Sequence, residues 1–457
     1  MTLWTSAEIA EATGGTANGD FVVDGATFDS REVEPGDLFI AMPGTAHDGH
    51  DFVAGAFEKG AHGALVSRSI DGPHVLVDDV TTALDALASA ARGRLAEDAV
   101  VIGVTGSVGK TSTKEALYAA LDRSSRGKAH RSVKSYNNHT GVPLSLVRCP
   151  RDVKYAVFEM GMNHSGEIAA LTRLARPHIA LITAIAPAHI ENLGSMKAIV
   201  DAKAEIFEGL VGDGVAIIPE DTQYCDQLVK KAKRHARTIM TFGSGEADVA
   251  PLNQAPASGG GTLITARLRG GRLTYTMRQP GDHWVTNSLA VLAAVEAAGG
   301  DVAVAGLALA ELGGLKGRGA RHVIKVGGGE ALLIDESYNA NSASMAATLK
   351  ALAGEQGRKV AILGTMKELG TESARLHAEL APYVMAAGVE EAILVGAEMA
   401  PLFAALDDQI RVHHVDDADA AIALTATVIR PGDAILVKAS NSMGLGKLVD
   451  KLAGGAA

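Results

Sequence analysis

The stretch that most constrains this chain is Gly103-Val104-Thr105-Gly106-Ser107-Val108-Gly109-Lys110-Thr111-Ser112. It follows Ala99-Val100-Val101-Ile102, an apolar run rich in β-branched residues that reads as a buried strand. It passes into Lys110 to Leu121, where Ala116, Leu117, Ala120 and Leu121 recur at helical spacing. Strand, glycine loop and helix in that order make the setting of a phosphate-binding loop. Gly106 and Gly109 let backbone N–H groups turn toward one anion, and Ser107 and Ser112 flank them. The helix N-terminus adds partial positive charge, Lys110 reaches the outer phosphates, and the Thr111 hydroxyl suits Mg²⁺. Val104 stands where the longer form of the motif has its first glycine, so the match is to the shorter Gly-x-x-Gly-Lys-Thr form. The same letters also suit a tight turn that caps a helix.

A length of 457 residues is enough for about three domains, each with its own core. The 52 glycines and an aromatic content of only 4% fit α/β architecture, with its many tight turns, better than a β-sandwich. Net charge is −11 with no basic block, so the chain lacks the footprint of a nucleic-acid binder, and an anionic ligand must be held by local charge. Cys149 and Cys225 are too few for a disulfide framework and lack zinc-ligand spacing. The N-terminal residues show no basic-then-apolar leader and no later run is long and apolar enough to span a bilayer. No membrane insertion and a cytoplasmic, monomeric protein are the expectations.

The chain divides by pattern into residues 1–95, 96–312 and 313–457. In the first, Pro35-Gly36-Asp37-Leu38-Phe39-Ile40 reads as a turn feeding a strand, and Asp48-Gly49-His50 precedes a helix over Ala54 to Lys59. Ser30 and Arg31 lie in a loop after a strand, which by itself reads as an exposed polar turn. In the second, Tyr136-Asn137-Asn138-His139-Thr140-Gly141-Val142-Pro143 reads as a polar loop. The strand Tyr155-Ala156-Val157-Phe158 delivers Glu159 at its C-terminal end, where open parallel sheets bind ligands. Ala180 to Ile185 is another buried strand, with His189 just beyond it, and Lys203 and Glu205 lie on a helix predicted over Lys197 to Leu210. Each alone is a weak signal. Together Thr111, Glu159, His189 and Lys203 suit metal and nucleotide chemistry, because Mg²⁺ takes hard ligands beside phosphates. A hairpin over Thr262–Leu268 and Arg272–Arg278 precedes an alanine-rich helix, Val285 to Ala298, with Asn287 in its first turn. In the third stretch, strands at 323–326, 331–335, 360–363, 392–395 and 434–437 alternate with helices, a Rossmann-like pattern without the Gly-x-Gly-x-x-Gly fingerprint.

The phosphate loop, Tyr136 to Pro143, Glu159-Met160-Gly161-Met162-Asn163, Ala188-His189, Ala202-Lys203-Ala204-Glu205 and Ser337-Tyr338-Asn339-Ala340-Asn341, taken in this order, resemble the Mur ligase family along essentially the whole chain. The resemblance implies an α/β protein of three domains: a small N-terminal α/β domain that binds a UDP-sugar, a central ATPase of the phosphate-loop type with a mostly parallel sheet, and a C-terminal Rossmann-like domain. Carried over by position, Lys110 would contact ATP phosphates, Thr111 and Glu159 would hold Mg²⁺, and His189 would serve a second Mg²⁺. Lys203 would be the lysine that members carboxylate with CO₂. Asn287, Arg318, Asp335, Tyr338 and Asn339 match nucleotide-contacting positions, and His377 matches a motif histidine. Ser30, Arg31, Asp48, Gly49 and His50 match the UDP-binding region, and Asn137 and Asn138 belong with the substrate side. Thr365, Ala439 and Pro219 depart from the family pattern, where Asp, Gly and Asn are usual.

Within the family the likeness is to ligases that join D-alanyl-D-alanine to UDP-N-acetylmuramoyl-tripeptide through an acyl phosphate. Rivals are a relative that adds a single amino acid, such as diaminopimelate, a folylpolyglutamate synthase, and a non-catalytic nucleotide-binding module. The C-terminal stretch has no Asp-Asn-Pro-Arg motif of the diaminopimelate type. An intact Glu159, His189 and Lys203 set speaks against a mere switch.

Overall fold

The structure, a computed structural model, describes residues 2–44, 47–187, 190–406 and 408–454. Three large sheets each draw their strands from one part of the chain. The first has five strands in the order Thr16–Asn18, His74–Leu76, Gly63–Val66, Asp37–Ile40, Gly25–Thr27, parallel except for the edge pairing of Thr16–Asn18 with His74–Leu76. The second is wholly parallel, in the order Thr238–Phe242, Val215–Pro219, Ile179–Ile182, Val100–Thr105, Tyr155–Glu159, Ala129–Arg131. The third is parallel apart from an antiparallel edge hairpin, in the order Ala320–Val326, Gly329–Glu336, Ala434–Lys438, Lys359–Gly364, Val389–Val395, Arg411–Val415.

The run Val100–Thr105 sits mid-sheet because both its faces are covered. Ile102 and Val104 pack with Leu117 and Leu121 of the helix Lys110–Ser125 and with Leu289 and Leu292 of the helix Asp282–Ala297. The other face of that sheet shares one core with the N-terminal part, where Trp4, Ile9, Leu84 and Leu87 join Val101, Val142 and Leu146. Directed bonds fix the seam: Trp4 Nε1 donates to the Val147 carbonyl at 2.9 Å, and Arg94 stacks 3.4 Å over the Trp4 ring. Two separate clusters clothe the two faces of the C-terminal sheet.

Two boundaries move, the strand expected over Ala180 to Ile185 ending at Ile182 and the loop expected over Tyr136 to Pro143 turning helical at Gly141, and three other local readings change. The helix predicted over Lys197 to Leu210 is an α-helix only at Met196–Ala204 and tightens to a 3₁₀ turn at Glu205–Gly209. Glu205 accepts from the N–H groups of Gly166 and Ala169, capping a neighbouring helix, and Thr172 Oγ1 donates to the Ile206 carbonyl, which draws this backbone off α geometry. The helix predicted from Val285 starts at Asp282, because Gly281, with φ +106°, turns the chain just before it. The hairpin gains a third strand, Ala250–Pro256. Among the described residues no helix is long and apolar enough to cross a membrane.

Candidate active site

The phosphate loop links Val100–Thr105 to the helix beginning at Lys110. Its glycines are required by space as well as by φ: a Cβ on Gly106 would lie 1.9 Å from Thr183 Oγ1, and one on Gly109 would lie 2.8 Å from Asn287 Oδ1. Ser107 is spent on the fold, its N–H donating to the Ala184 carbonyl and its hydroxyl to the Ala186 carbonyl, each at 2.8 Å. Those bonds tie the loop to the segment that follows Ile179–Ile182.

Thr111 and Glu159 meet directly, Oγ1 donating to Oε2 at 2.8 Å, while Asn137 Nδ2 donates to Glu159 Oε1 at 2.8 Å. Register places Glu159 beside Val104 on the adjacent strand, so the carboxylate stands at the carboxyl end of the sheet, next to the loop. Lys110 Nζ rests on the Gly106 carbonyl at 2.7 Å, and burial lowers its pKa against the pull of Glu159. Lys203 is only 2% exposed. Burial first, and the Lys110 ammonium second, push its pKa well down. His189 lies outside the described residues.

Lys110, Thr111, Asn137 and Glu159 open on a cavity of about 310 Å³, within the range of small-molecule sites, whereas Lys203 is not in its wall. Lys110, Thr111, Ser112, Asn137, Glu159 and Asn287 line it from the central sheet, and Arg318, Tyr338, Asn339 and Asn341 from the C-terminal one. Arg318 stacks 4.3 Å from the Tyr338 ring. Asp335 is not in the wall. It is 1% exposed and accepts from Gly317 N at 2.6 Å and from the N–H and hydroxyl of Ser337, so it shapes the loop that carries Arg318.

The N-terminal set lies apart from this cavity. Arg31 is exposed and forks onto Asp29, with bonds of 2.9 and 2.6 Å. Asp48 Oδ1 accepts from the backbone of His50 and from its Nδ1, leaving Nε2 to accept from Ser67 N at 2.9 Å, which fixes the ring's tautomer. Gly49 packs its backbone against that of Met42, and Lys59 Nζ holds the Ser30 carbonyl at 2.6 Å. Asn138 caps the helix Gly141–Val147, its Oδ1 accepting from Gly141 N at 2.9 Å. His377 is buried with Nε2 accepting from Met366 N at 3.0 Å, a bond that shapes the backbone. Thr365 donates to Glu398, which pairs with Lys367.

The sequence reading passes over Lys438, Glu336, His283 and Trp284, all in the cavity wall. Lys438 is 2% exposed, 3.4 Å from Glu336 Oε2, and donates to the Asn339 carbonyl at 3.0 Å. Burial lowers the Lys438 pKa and raises that of Glu336, each opposed by the other. Burial, with Lys438 nearby, takes His283 down to about 4. The available signal was position: Glu336 and Lys438 each end a buried parallel strand.

The fold and the cavity define a class, a phosphate-loop protein whose cleft is walled by a central parallel sheet and a C-terminal sheet. Residues 22–97, 104–295 and 321–441 match, in turn, the Mur ligase family catalytic domain, the Mur ligase middle domain and the Mur ligase glutamate ligase domain. The UDP-N-acetylmuramoyl-tripeptide–D-alanyl-D-alanine ligase of Rickettsia prowazekii is 32% identical over 454 residues, 98% of this chain and 99% of its own length. MurF from Acinetobacter baumannii superposes with a TM-score of 0.84 at 29% identity over 99% of both chains. MurF ligase from Thermotoga maritima, solved in complex with ADP, gives 0.77 at 27% identity, covering 94% of this chain and 97% of its own. The chain belongs to the Mur ligase family.

Proposed function

We propose that this protein joins D-alanyl-D-alanine to UDP-N-acetylmuramoyl-tripeptide with hydrolysis of ATP. The observation that carries the reading is the shared cleft, with Lys110, Thr111 and Glu159 on one wall facing Arg318, Tyr338 and Asn339 on the other, in a chain matched from end to end by relatives of that name. A carboxylate resists attack by an amine, so the terminal carboxylate of the tripeptide is first phosphorylated by ATP. The dipeptide amine then attacks the acyl phosphate and inorganic phosphate leaves.

The residues present fit Mg²⁺. The Thr111 hydroxyl and the Glu159 carboxylate are hard oxygen donors held together at 2.8 Å, and a site completed by phosphates needs few protein ligands. Thr111 and Glu159 would hold the ion, which neutralises phosphate charge when bound. Lys110 moves its ammonium from the Gly106 carbonyl to the phosphates, and Arg318 adds a cation from the opposite wall. Asn137 keeps the Glu159 carboxylate oriented. A buried amine with a depressed pKa is uncharged more of the time and therefore nucleophilic toward CO₂, so Lys203 suits carboxylation to an anion for a second Mg²⁺. Ser30, Arg31, Asp48, Gly49, His50 and Asn138 form the UDP-substrate side in this reading, with Asn287 and Asn339 beside the nucleotide.

Phosphate release from ATP and Mg²⁺ with UDP-N-acetylmuramoyl-tripeptide, with and without D-alanyl-D-alanine, tests the proposal when products are weighed by mass spectrometry. Release that needs both, with a mass gain of the dipeptide less water, is expected. Release driven by a single amino acid instead overturns it.

A further inference from the structure

The helix that leaves the phosphate loop carries a second lysine one turn beyond Lys110. Lys114 is 0% exposed. Its ammonium donates to the Ser132 carbonyl at 3.0 Å and to the Lys134 carbonyl, and pairs with Glu115 Oε1 at 2.9 Å. Three donors thus meet three acceptors, the full capacity of the group. Lys134 holds φ +49°, a backbone conformation that non-glycine residues adopt only at an energetic cost, and Lys114 grips the carbonyl of that same residue.

The loop so held, residues 132–137, touches all three parts of the chain. Ser132 Oγ accepts from Glu159 N at 3.1 Å and Asn137 holds the Glu159 carboxylate, which are contacts with the central sheet. Lys134 Nζ and Tyr136 Oη both reach Glu32 of the N-terminal part, where Phe28 packs 5.3 Å from the Tyr136 ring. Ser135 Oγ meets Arg318 Nη2 of the C-terminal part at 3.5 Å. One short segment thus links the phosphate loop to both neighbouring parts of the chain.

We propose that Lys114 is a positioning residue for the ligase reaction: through residues 132–137 it sets the Glu159 carboxylate and the N-terminal, UDP-substrate part in register with the phosphate loop. The proposal rests on the ligase reading above for its kinetic consequence, but its structural consequence stands without it. Lys114 does not face the cavity, so nucleotide binding alone does not require it.

The test is Lys114→Met, which keeps chain length and apolar bulk and removes the ammonium. Without Mg²⁺, so that the Glu159 carboxylate plays no part, ADP affinity by calorimetry should stay within about threefold of wild type. The KM for UDP-N-acetylmuramoyl-tripeptide should rise about tenfold and kcat fall about 100-fold, the scale expected of reacting groups displaced by an ångström. Hydrogen exchange at residues 132–137 should speed up selectively. Glu32→Gln should raise the same KM, and in the double variant the two effects should be less than additive. Should Lys114→Met not fold, Lys114→Gln, whose amide still donates to carbonyls, carries the same readouts at smaller amplitude. Unchanged exchange at 132–137, or losses of ADP and UDP-substrate affinity in equal proportion, overturn the proposal. If the wild type itself shows no dipeptide-dependent phosphate release, the ligase reading fails, and the exchange measurement alone decides the role of Lys114.

Discussion

Replacing Lys203 with Met should make the protein more stable in CO₂-free buffer, by an amount that grows as the pH falls. The ammonium is 2% exposed, and burial and Lys110 both lower its pKa. In the unfolded chain the amine returns to its ordinary pKa of about 10.4. Between the depressed folded pKa and that value, the unfolded state binds more protons. Wild-type stability is therefore unpenalised above about pH 10.4 and is lost as the pH drops toward the folded pKa, at about 1.4 kcal/mol per pH unit. The Met variant lacks this slope. Unfolding free energies from urea titrations at about pH 8.5 and 9.5 should therefore show the Met variant's advantage smaller at the higher pH, by at most about 1.4 kcal/mol over that unit. Bicarbonate should stabilise the wild type and leave the variant unmoved, because CO₂ reacts with the buried amine of the folded state. Parallel curves for the two proteins across this interval would refute the reasoning. The same variant should have lost ligase turnover.

Lys110→Ala should lower phosphate release about 100- to 1000-fold, the scale for removing one preorganised cation or donor from a reacting oxyanion. Its melting temperature should stay near wild type, since Nζ makes one hydrogen bond, to its own loop; unchanged ATP consumption would remove the phosphate-loop assignment. Asp335→Ala strands three donors in a buried site and should cost about 3 kcal/mol in urea unfolding while weakening ADP binding through the Arg318 loop. A loss below about 1 kcal/mol would show that Ser337 and Gly317 find other partners.

The strands around Val100–Thr105, Tyr155–Glu159 and Ile179–Ile182 were legible because each is a short apolar run buried in the sheet, though not their order in it, and the loop from Gly103 to Ser112 announced its own geometry. Thr111 and Glu159 could be paired in advance for the same reason, both standing at carboxyl ends or just beyond them. The strand Ala250–Pro256 was hidden by its exposed edge position, its two prolines and a register break between Pro251 and Asn253. Glu336 and Lys438 form their pair across neighbouring strands 102 residues apart, a juxtaposition that a single sequence does not announce. Lys114 reads as one more helical lysine until tertiary structure supplies the two carbonyls that hold it. Ser107 shows the converse, a motif hydroxyl whose hydrogen bonds are taken by the fold.

The charge pattern explains why two sheets are needed. A chain of net charge −11 repels a nucleoside triphosphate at long range, so binding must be won locally. The central wall supplies Lys110 with Glu159 beside it, and the C-terminal wall supplies Arg318 and Lys438 with Glu336 beside it. Either wall alone offers cations partly neutralised by its own carboxylate and open to water, where a charge pair at 4 Å is worth about 1 kcal/mol. Facing one another across a narrow cavity, the two walls share a lower dielectric, and the same charges act on a phosphate between them several times more strongly. Glu336 and Lys438 end strands of one sheet while Glu159 ends a strand of the other, so both sheets aim their carboxyl ends at the same cavity. If the cavity holds phosphate as proposed, apposition of the two sheets sets the strength of its binding, and a variant that separates the walls should lose ATP affinity even with every lining residue intact.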